Sequence, residues 1–138
     1  MSEARRVLVV DDQEDVREMA RLVLTGAGYE VATARSGREA LRLAREAPFD
    51  LMLLDINMPE LDGWTTLRLL RADETHDDLK VAMFTVRSEV RDKVAGLKDG
   101  AIDYITKPFG VDELVFRVSR ILGAAAEGAS AVPTASPR

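Results

Sequence analysis

Five short apolar segments alternate along this chain with segments whose large apolar residues repeat at helical spacing. The apolar segments are VLVV (7–10), YEVATA (29–34), LMLL (51–54), VAMF (81–84) and IDYI (102–105). Strands that alternate with helices form a parallel sheet with right-handed crossovers and helices on both faces. The alternation therefore predicts an α/β fold with five parallel strands and five helices.

Each apolar segment precedes a predicted helix. The second helix is expected to start at Ser36, because Ser36 and Glu39 have the spacing of a capping box. The other four helices are predicted from apolar residues on one face: Val16, Met19, Ala20, Val23 and Leu24; Trp64, Leu67 and Leu70; Val90, Val94 and Leu97; Leu114, Val115, Val118, Ile121 and Leu122.

The composition of the strands predicts their order in the sheet. Strands 1, 3 and 4 are continuously apolar, which is typical of central strands covered on both faces. Strands 2 and 5 include Glu30, Thr33 and Asp103, which suit the edges. The order 2-1-3-4-5 satisfies both conditions, and it is the doubly wound arrangement known as flavodoxin-like.

Composition excludes several other classes of protein. The chain has no cysteine, so disulfides and thiolate sites are excluded. Its apolar segments are too short to span a membrane, and the N-terminus has no secretory signal, so we expect a cytoplasmic protein without membrane contact. A net charge of −5 argues against direct binding of nucleic acid. The single histidine, His76, cannot form a histidine-rich metal site.

The sequence predicts one domain over residues 1–122. From residue 123 it reads GAAAEGASAVPTASPR, which has no large apolar residue and is rich in alanine, serine and proline. Such a composition is typical of a disordered tail or of the beginning of a linker.

Polar groups follow the strands at the carboxyl edge of the predicted sheet, where ligands bind in such folds. They are Asp11 and Asp12, Asp55, Thr85, and Lys107. Singly, each has an ordinary explanation as a helix cap, a turn residue, a strand residue or a solvated charge. Together they are expected to meet, and two carboxylates ~4 Å apart repel by about 4 kcal/mol at an effective dielectric near 20.

The single charge of Lys107 cannot balance three acids. A set of oxygen ligands without histidine or cysteine suits a hard divalent cation, with Mg²⁺ the default where a phosphate shares the coordination. A metal, a carboxylate nucleophile, a lysine and a hydroxyl are together suited to phosphoryl transfer.

Four motifs stand in order along the chain: VLVVDD, LMLLDINMPELDGW, FTVRS and GAIDYITKPF. In these motifs and their intervals, residues 5–122 resemble the receiver domain of bacterial two-component response regulators, the CheY-like family. The resemblance implies a signalling domain, not a conventional enzyme, that catalyses only its own phosphorylation and dephosphorylation. It also implies a sensor histidine kinase or phosphotransfer protein as partner, and Mg²⁺ as cofactor.

The resemblance assigns the phosphoryl group and the metal to particular residues. Asp55 matches the residue that accepts a phosphoryl group from a phosphohistidine. Asp12 matches the direct Mg²⁺ ligand and Asp11 the residue that holds metal-bound water. Asp55 itself and the backbone carbonyl of Asn57 would complete the protein ligands.

A second group of residues matches the switch that responds to phosphorylation. Lys107 corresponds to the lysine that pairs with Asp55 and then with a phosphoryl oxygen, and its peptide bond to Pro108 is cis in the family. Thr85 corresponds to the hydroxyl that moves to the phosphoryl group. Tyr104 corresponds to the aromatic residue that turns inward behind it.

Two neighbouring positions are expected to tune the site. Val86 departs from the family pattern, in which this residue is usually small. Its methyl groups would crowd the approach to Asp55, unless the loop shifts to accommodate them. Arg87 matches a position that tunes dephosphorylation in relatives.

Three functional alternatives remain open. The chain is a receiver acting through protein partners, including a homodimer or an effector bound at the surface formed by residues 88–100, 102–105 and 111–122. Alternatively, it is the receiver portion of a longer DNA-binding regulator or hybrid kinase. A small aspartyl-phosphate hydrolase is the third alternative, but it would need an acid where Asn57 stands.

Overall fold

A computed structural model describes residues 4–76, 78–86, 101, 103–107 and 109–123, except for the side chains of Glu74, Thr85, Val86 and Thr106. Five parallel strands form one sheet in the order β2-β1-β3-β4-β5. The strands are β1 (Arg6–Val10), β2 (Glu30–Ala34), β3 (Leu51–Asp55), β4 (Lys80–Val86) and β5 (Asp103–Lys107). Both the parallel sheet and the predicted strand order are therefore confirmed.

Four helices and a short 3-10 turn lie within the described residues; three of the helices and the turn connect strands, and the fourth helix follows β5. The helices are α1 (Glu14–Gly26), α2 (Gly37–Glu46), α3 (Gly63–Arg71) and α4 (Val111–Leu122), and the turn is Glu74–His76. The helix predicted from Val90, Val94 and Leu97 lies outside the described residues. Four of the five predicted helices are therefore confirmed. None of the described helices is both long and apolar enough to cross a membrane.

The beginning of α2 has the predicted cap in a slightly different form. The hydroxyl of Ser36 accepts a hydrogen bond from the backbone N–H of Glu39 at 3.1 Å. The Glu39 carboxylate accepts in return from the N–H of Arg35, not from that of Ser36. The reciprocal cap therefore spans one residue more than the standard capping box.

The sheet separates two layers of buried apolar side chains. What we call the first core lies on the side of α2 and α3 and includes Leu8, Val10, Ala40, Met52, Leu54, Leu67, Leu70, Val81, Met83 and Tyr104. The second core lies on the side of α1 and α4 and includes Val7, Val9, Ala20, Leu24, Tyr29, Leu51, Leu53, Ala82, Phe84, Ile105, Leu114 and Val118. Of the residues predicted for the buried face of α1, Met19 is the exception, with 38% of its surface exposed.

Candidate functional site

The charged groups at the carboxyl edge of the sheet lie on the same face of the strands as the side chains of the second core. Side chains alternate between the two faces of a strand, so residues two apart lie on the same face. Asp11 therefore follows Val9, Asp55 follows Leu53, and Lys107 follows Ile105. Asp55 and Lys107 are the last residues of β3 and β5. Asp11 continues the pairing of β1 with β2, since its N–H donates to the carbonyl of Ala34.

Lys107 connects the acids of the first and third strands. Its Nζ lies 2.7 Å from Oδ2 of Asp11 and 3.3 Å from Oδ1 of Asp55. Asp11 is completely buried and Asp55 is 4% exposed. These are hydrogen-bonded ion pairs across the carboxyl edge of the sheet, and the two carboxylates share one cation. The Nζ of Lys107 also lies over the ring of Phe84, 5.7 Å from the ring centre.

A third carboxylate, Asp12, belongs to the same group of acids. Asp11, Asp12 and Asp55 each offer one oxygen, and these oxygens all lie within 4.8 Å of one another. We call this group, together with Lys107, the acidic crevice. Asp12 is exposed, unlike the other two acids. The predicted convergence of the five polar groups is thus observed for the four whose side chains are described.

The acidic crevice has more negative charge than Lys107 can balance. Burial, followed by the charge of Asp11, raises the pKa of Asp55 from 3.8 to about 6, although Lys107 and the N–H of Asn57 oppose this change. Burial lowers the pKa of Lys107, but hydrogen bonds and charges from Asp11 and Asp55 outweigh it, so the pKa of Lys107 is raised. An additional cation beside these acids would favour the ionised form of Asp55.

Asp11 is held in place by three hydrogen bonds, each of which involves at least one backbone group. Its N–H bonds to Ala34, and its Oδ1 accepts from the N–H of Gln13 at 3.0 Å. The guanidinium of Arg17 donates to its carbonyl oxygen at 2.9 Å. Asp11 is thus positioned by β2 and by the beginning of α1, where it does not act as the helix cap.

The loop after β3 is packed tightly against Asp55. Oδ1 of Asp55 accepts from the N–H of Asn57 at 3.2 Å, and the N–H of Ile56 donates to the carbonyl of Phe84. A Cβ at Gly63 would lie 2.3 Å from the carbonyl oxygen of Asp55 and 2.8 Å from Cα of Ile56. Only glycine therefore allows α3 to begin so close to the end of β3.

Tyr104 lies on the other face of β5 from Lys107, in the first core. Its side chain is buried, with 7% of its surface exposed. The ring centre of Trp64, at the start of α3, is 6.5 Å away. Tyr104 is therefore in an inward position, but its predicted role as a switch is not tested by this geometry.

Several predicted site residues cannot be placed in the crevice. Thr85 and Val86 belong to β4, beside Thr106 and Lys107 of β5, but their side chains are not described. Arg87 and Pro108 lie outside the described residues. Their predicted roles remain predictions.

Sequence reasoning did not single out Gly63, Arg17 or the contact between Trp64 and Tyr104. Nor did it establish that Asp11, not Asp12, is the buried partner of Lys107. The alternation of side chains along β1 contained that signal, because Asp11 is two residues beyond the buried Val9. The other contacts depend on distances between elements, which no local pattern encodes.

The fold and the acidic crevice together define an α/β domain with a group of acids that could hold a metal ion at the carboxyl edge of its sheet. Residues 7–119 match the family model described as "Response regulator receiver domain". The chain therefore belongs to the response regulator receiver domain family, which is a family of signalling domains.

The curated proteins that are similar to this chain include regulators that are longer than it. The chain is 47% identical over 135 residues to the transcriptional regulatory protein PrrA of Mycobacterium tuberculosis, covering 96% of this chain and 57% of that protein. It is 46% identical to response regulator MprA of Mycolicibacterium vanbaalenii, covering 85% of this chain and 50% of that protein. The chain thus spans about half the length of these curated relatives.

Among solved structures, the chemotaxis response regulator CheY4 of Vibrio cholerae is similar with a TM-score of 0.83 and 35% identity. The match covers 87% of this chain and 100% of CheY4. A response regulator from Chloroflexus aurantiacus matches with a TM-score of 0.82 and 41% identity, covering 87% of this chain and 98% of that one.

Proposed function

We propose that this receiver is phosphorylated on Asp55 by a sensor histidine kinase or phosphotransfer protein, with Mg²⁺ bound in the acidic crevice. The observation that carries the proposal is the arrangement of Asp55. Its carboxylate lies at the end of a buried strand, 3.3 Å from a lysine and within 4.8 Å of two further carboxylates. Family membership supports the same assignment.

The residues of the crevice fit Mg²⁺. All three side-chain donors are carboxylate oxygens, which this ion prefers. Asp12, which is exposed, is the proposed direct ligand together with Asp55 and the carbonyl of Asn57, and Asp11 would hold a metal-bound water. When bound, Mg²⁺ would supply charge neutralisation for the acids and for an incoming phosphoryl group.

The transfer itself requires Asp55 to be ionised. One carboxylate oxygen attacks the phosphorus of a phosphohistidine, a P–O bond forms, the P–N bond breaks, and the imidazole leaves with the electron pair of that bond. Lys107, already beside Oδ1, would move its contact to a phosphoryl oxygen. Such a transfer depends mainly on positioning and on neutralisation of charge.

Phosphorylation would then act as a conformational switch. Phosphorylation adds about −1.5 to −2 charge and three strong acceptors. One charge-assisted hydrogen bond, such as that proposed from Thr85, contributes about 1.5–3 kcal/mol. A shift from 1:99 to 99:1 needs about 5.5 kcal/mol. Lys107 and Tyr104 would therefore have to contribute as well as Thr85.

Incubation with acetyl phosphate and Mg²⁺, followed by intact mass measurement, tests the proposal without knowledge of the kinase. We expect the mass gain of one phosphoryl group, dependent on Mg²⁺ and absent in Asp55→Asn. Asp112→Asn is the matched control, because this acid lies exposed at the start of α4. Undiminished labelling of Asp55→Asn would place the nucleophile elsewhere.

The same assay addresses Val86. If its methyl groups restrict access to Asp55, Val86→Ala should raise the rate of labelling or of phosphoryl loss. If Val86→Ala and the wild type had the same rate of labelling and the same rate of phosphoryl loss, that role would be contradicted.

How this receiver passes its signal on is also a matter of proposal. PrrA is named as a transcriptional regulator, and the matched length favours a receiver that works within a longer protein. A receiver that acts on a separate partner is the other proposal; CheY4, named as a chemotaxis response regulator, is matched over the full length of its solved chain. In either case the proposed partner or homodimer surface includes β5 and α4, while residues 88–100 and 102 of that surface lie outside the described residues.

A further inference from the structure

The ring of Tyr104 has a described aromatic neighbour in Trp64. Their ring centres are 6.5 Å apart and their planes are inclined by 52°. Trp64 is partly buried and packs against the first core, which includes Tyr104. Aromatic pairs at this separation and inclination are attractive beyond their burial of surface. The contact thus favours the buried position of Tyr104.

The helical turn that carries Trp64 is fixed to the main chain of Asp55. The N–H of Gly63 donates to the carbonyl of Ile56 at 2.9 Å. The space beside Gly63 is so small that an added Cβ would overlap the Asp55 carbonyl oxygen. Asp62 caps the same turn by accepting from the N–H of Thr65 at 2.8 Å. A shift of the Asp55 backbone would therefore shift Trp64 as well.

We propose that Trp64 is a positioning residue that holds the Tyr104 ring in the first core and couples that position to the backbone of Asp55. This coupling is separate from the contact of Lys107 with the Asp55 carboxylate, because Lys107 and Tyr104 lie on opposite faces of β5. Charge at Asp55 acts on β5 through Lys107, and displacement of its backbone acts through Trp64. The ring contact stands by itself, whereas its response to phosphorylation rests on the function proposed above.

The two tyrosines of the chain make the ring contact measurable. Protein labelled with 3-fluorotyrosine should give two ¹⁹F resonances, one from Tyr104 and one from Tyr29. Tyr29 is 5% exposed and belongs to the second core, on the opposite side of the sheet. It therefore serves as an internal reference in every sample.

Exposure of each ring is measured by the broadening caused by a soluble nitroxide. In Trp64→Leu we expect the broadening of the Tyr104 resonance to increase about two- to tenfold, which corresponds to the usual strength of an aromatic pair. The Tyr29 resonance should be unchanged. Equal broadening of Tyr104 in the wild type and in Trp64→Leu would overturn the proposal.

Two further variants separate this effect from a general loosening of α3. Trp64→Phe keeps a ring at the position and should leave the Tyr104 broadening close to that of the wild type. Leu69→Ala changes a 48% exposed residue on the same helix and should also leave it unchanged. An increase with Leu69→Ala equal to that with Trp64→Leu would contradict a specific role for Trp64.

The coupling to Asp55 is tested by adding acetyl phosphate and Mg²⁺ to the labelled proteins. The Tyr104 resonance should move on phosphorylation of the wild type and should move less in Trp64→Leu at equal labelling by mass. Equal movement would overturn the coupling. A wild type that takes no phosphoryl group would overturn the proposed function instead, and the nitroxide measurement would still decide the ring contact.

Discussion

Asp55 is a residue whose charge is expected to oppose folding when no divalent cation is bound. Its pKa of about 6 in the folded protein is higher than the ordinary value of 3.8. The folded state therefore binds this proton more tightly, so the stabilising contribution is complete below about pH 4 and is lost as the pH rises through about 6. Each unit of pKa is worth about 1.4 kcal/mol, so the loss is at most about 3 kcal/mol.

Asp55→Asn should consequently raise the free energy of unfolding in EDTA at pH 7.5 by up to about 3 kcal/mol. The gain should be much smaller near pH 4, because the carboxyl is then protonated in the folded state and about half protonated in the unfolded state. Urea unfolding at the two pH values measures this difference, with Asp112→Asn as the exposed control. A variant less stable than the wild type at pH 7.5 would contradict the expected repulsion.

Removal of Lys107 should lower the free energy of unfolding, whereas Asp55→Asn should raise it. Lys107→Ala removes the cation that lies 2.7 Å from the completely buried Asp11. Leaving one partner of a buried ion pair uncompensated costs about 3–5 kcal/mol. We expect a loss of about this size by urea unfolding in EDTA, and partial recovery when Mg²⁺ replaces EDTA, because the ion restores positive charge. A loss that Mg²⁺ does not reduce would argue against a shared site.

At the level of secondary structure, the junction of β3 and α3 depends on a glycine at position 63. A side chain there would overlap the backbone of Asp55 and Ile56, at 2.3 and 2.8 Å. Such overpacking typically costs 1–3 kcal/mol, so we expect Gly63→Ala to lower the free energy of unfolding by about 2 kcal/mol. It should also slow labelling by acetyl phosphate, since the backbone of the acceptor must move.

Gly26→Ala provides a control of opposite sign. Gly26 ends α1, and an added Cβ would meet no atom within 4 Å. Alanine has a better helix propensity than glycine, so this variant should gain up to about 1 kcal/mol and keep the wild-type labelling rate. If both variants lost equal stability, the close approach at Gly63 would not be the cause.

Strand ends were harder to predict than strand order. The order followed from the continuous apolar character of β1, β3 and β4, because only strands covered on both faces need it. The apolar segments ended early, however: β4 continues to Val86 and β5 to Lys107. Polar residues can extend a strand whose backbone hydrogen bonds are completed by a neighbour, and hydrophobicity alone does not reveal this.

At the scale of the whole molecule, the position of the site could be predicted because a parallel sheet brings all of its carboxyl ends to one edge. Asp11, Asp12, Asp55 and Lys107 were placed together on that basis. The excess of negative charge was also predicted, but the raised pKa of Asp55 depends on distances and burial, which the sequence does not contain. The contact of Trp64 with Tyr104 depends on how closely α3 approaches β3, and therefore on packing at Gly63.

The extent of the folded unit gives a last prediction. Both cores consist, within the described residues, of side chains between Val7 and Leu122. Residues 124–138 contain no leucine, isoleucine, methionine or aromatic residue that could bury much apolar surface. A chain ending at Gly123 should therefore unfold with the same free energy, within about 0.5 kcal/mol, as expected for a change away from the core. It should also take up a phosphoryl group at the same rate. A loss of more than about 1 kcal/mol would mean that the C-terminal segment contributes to the domain, because removal of a solvated tail leaves no cavity and no unpaired buried group.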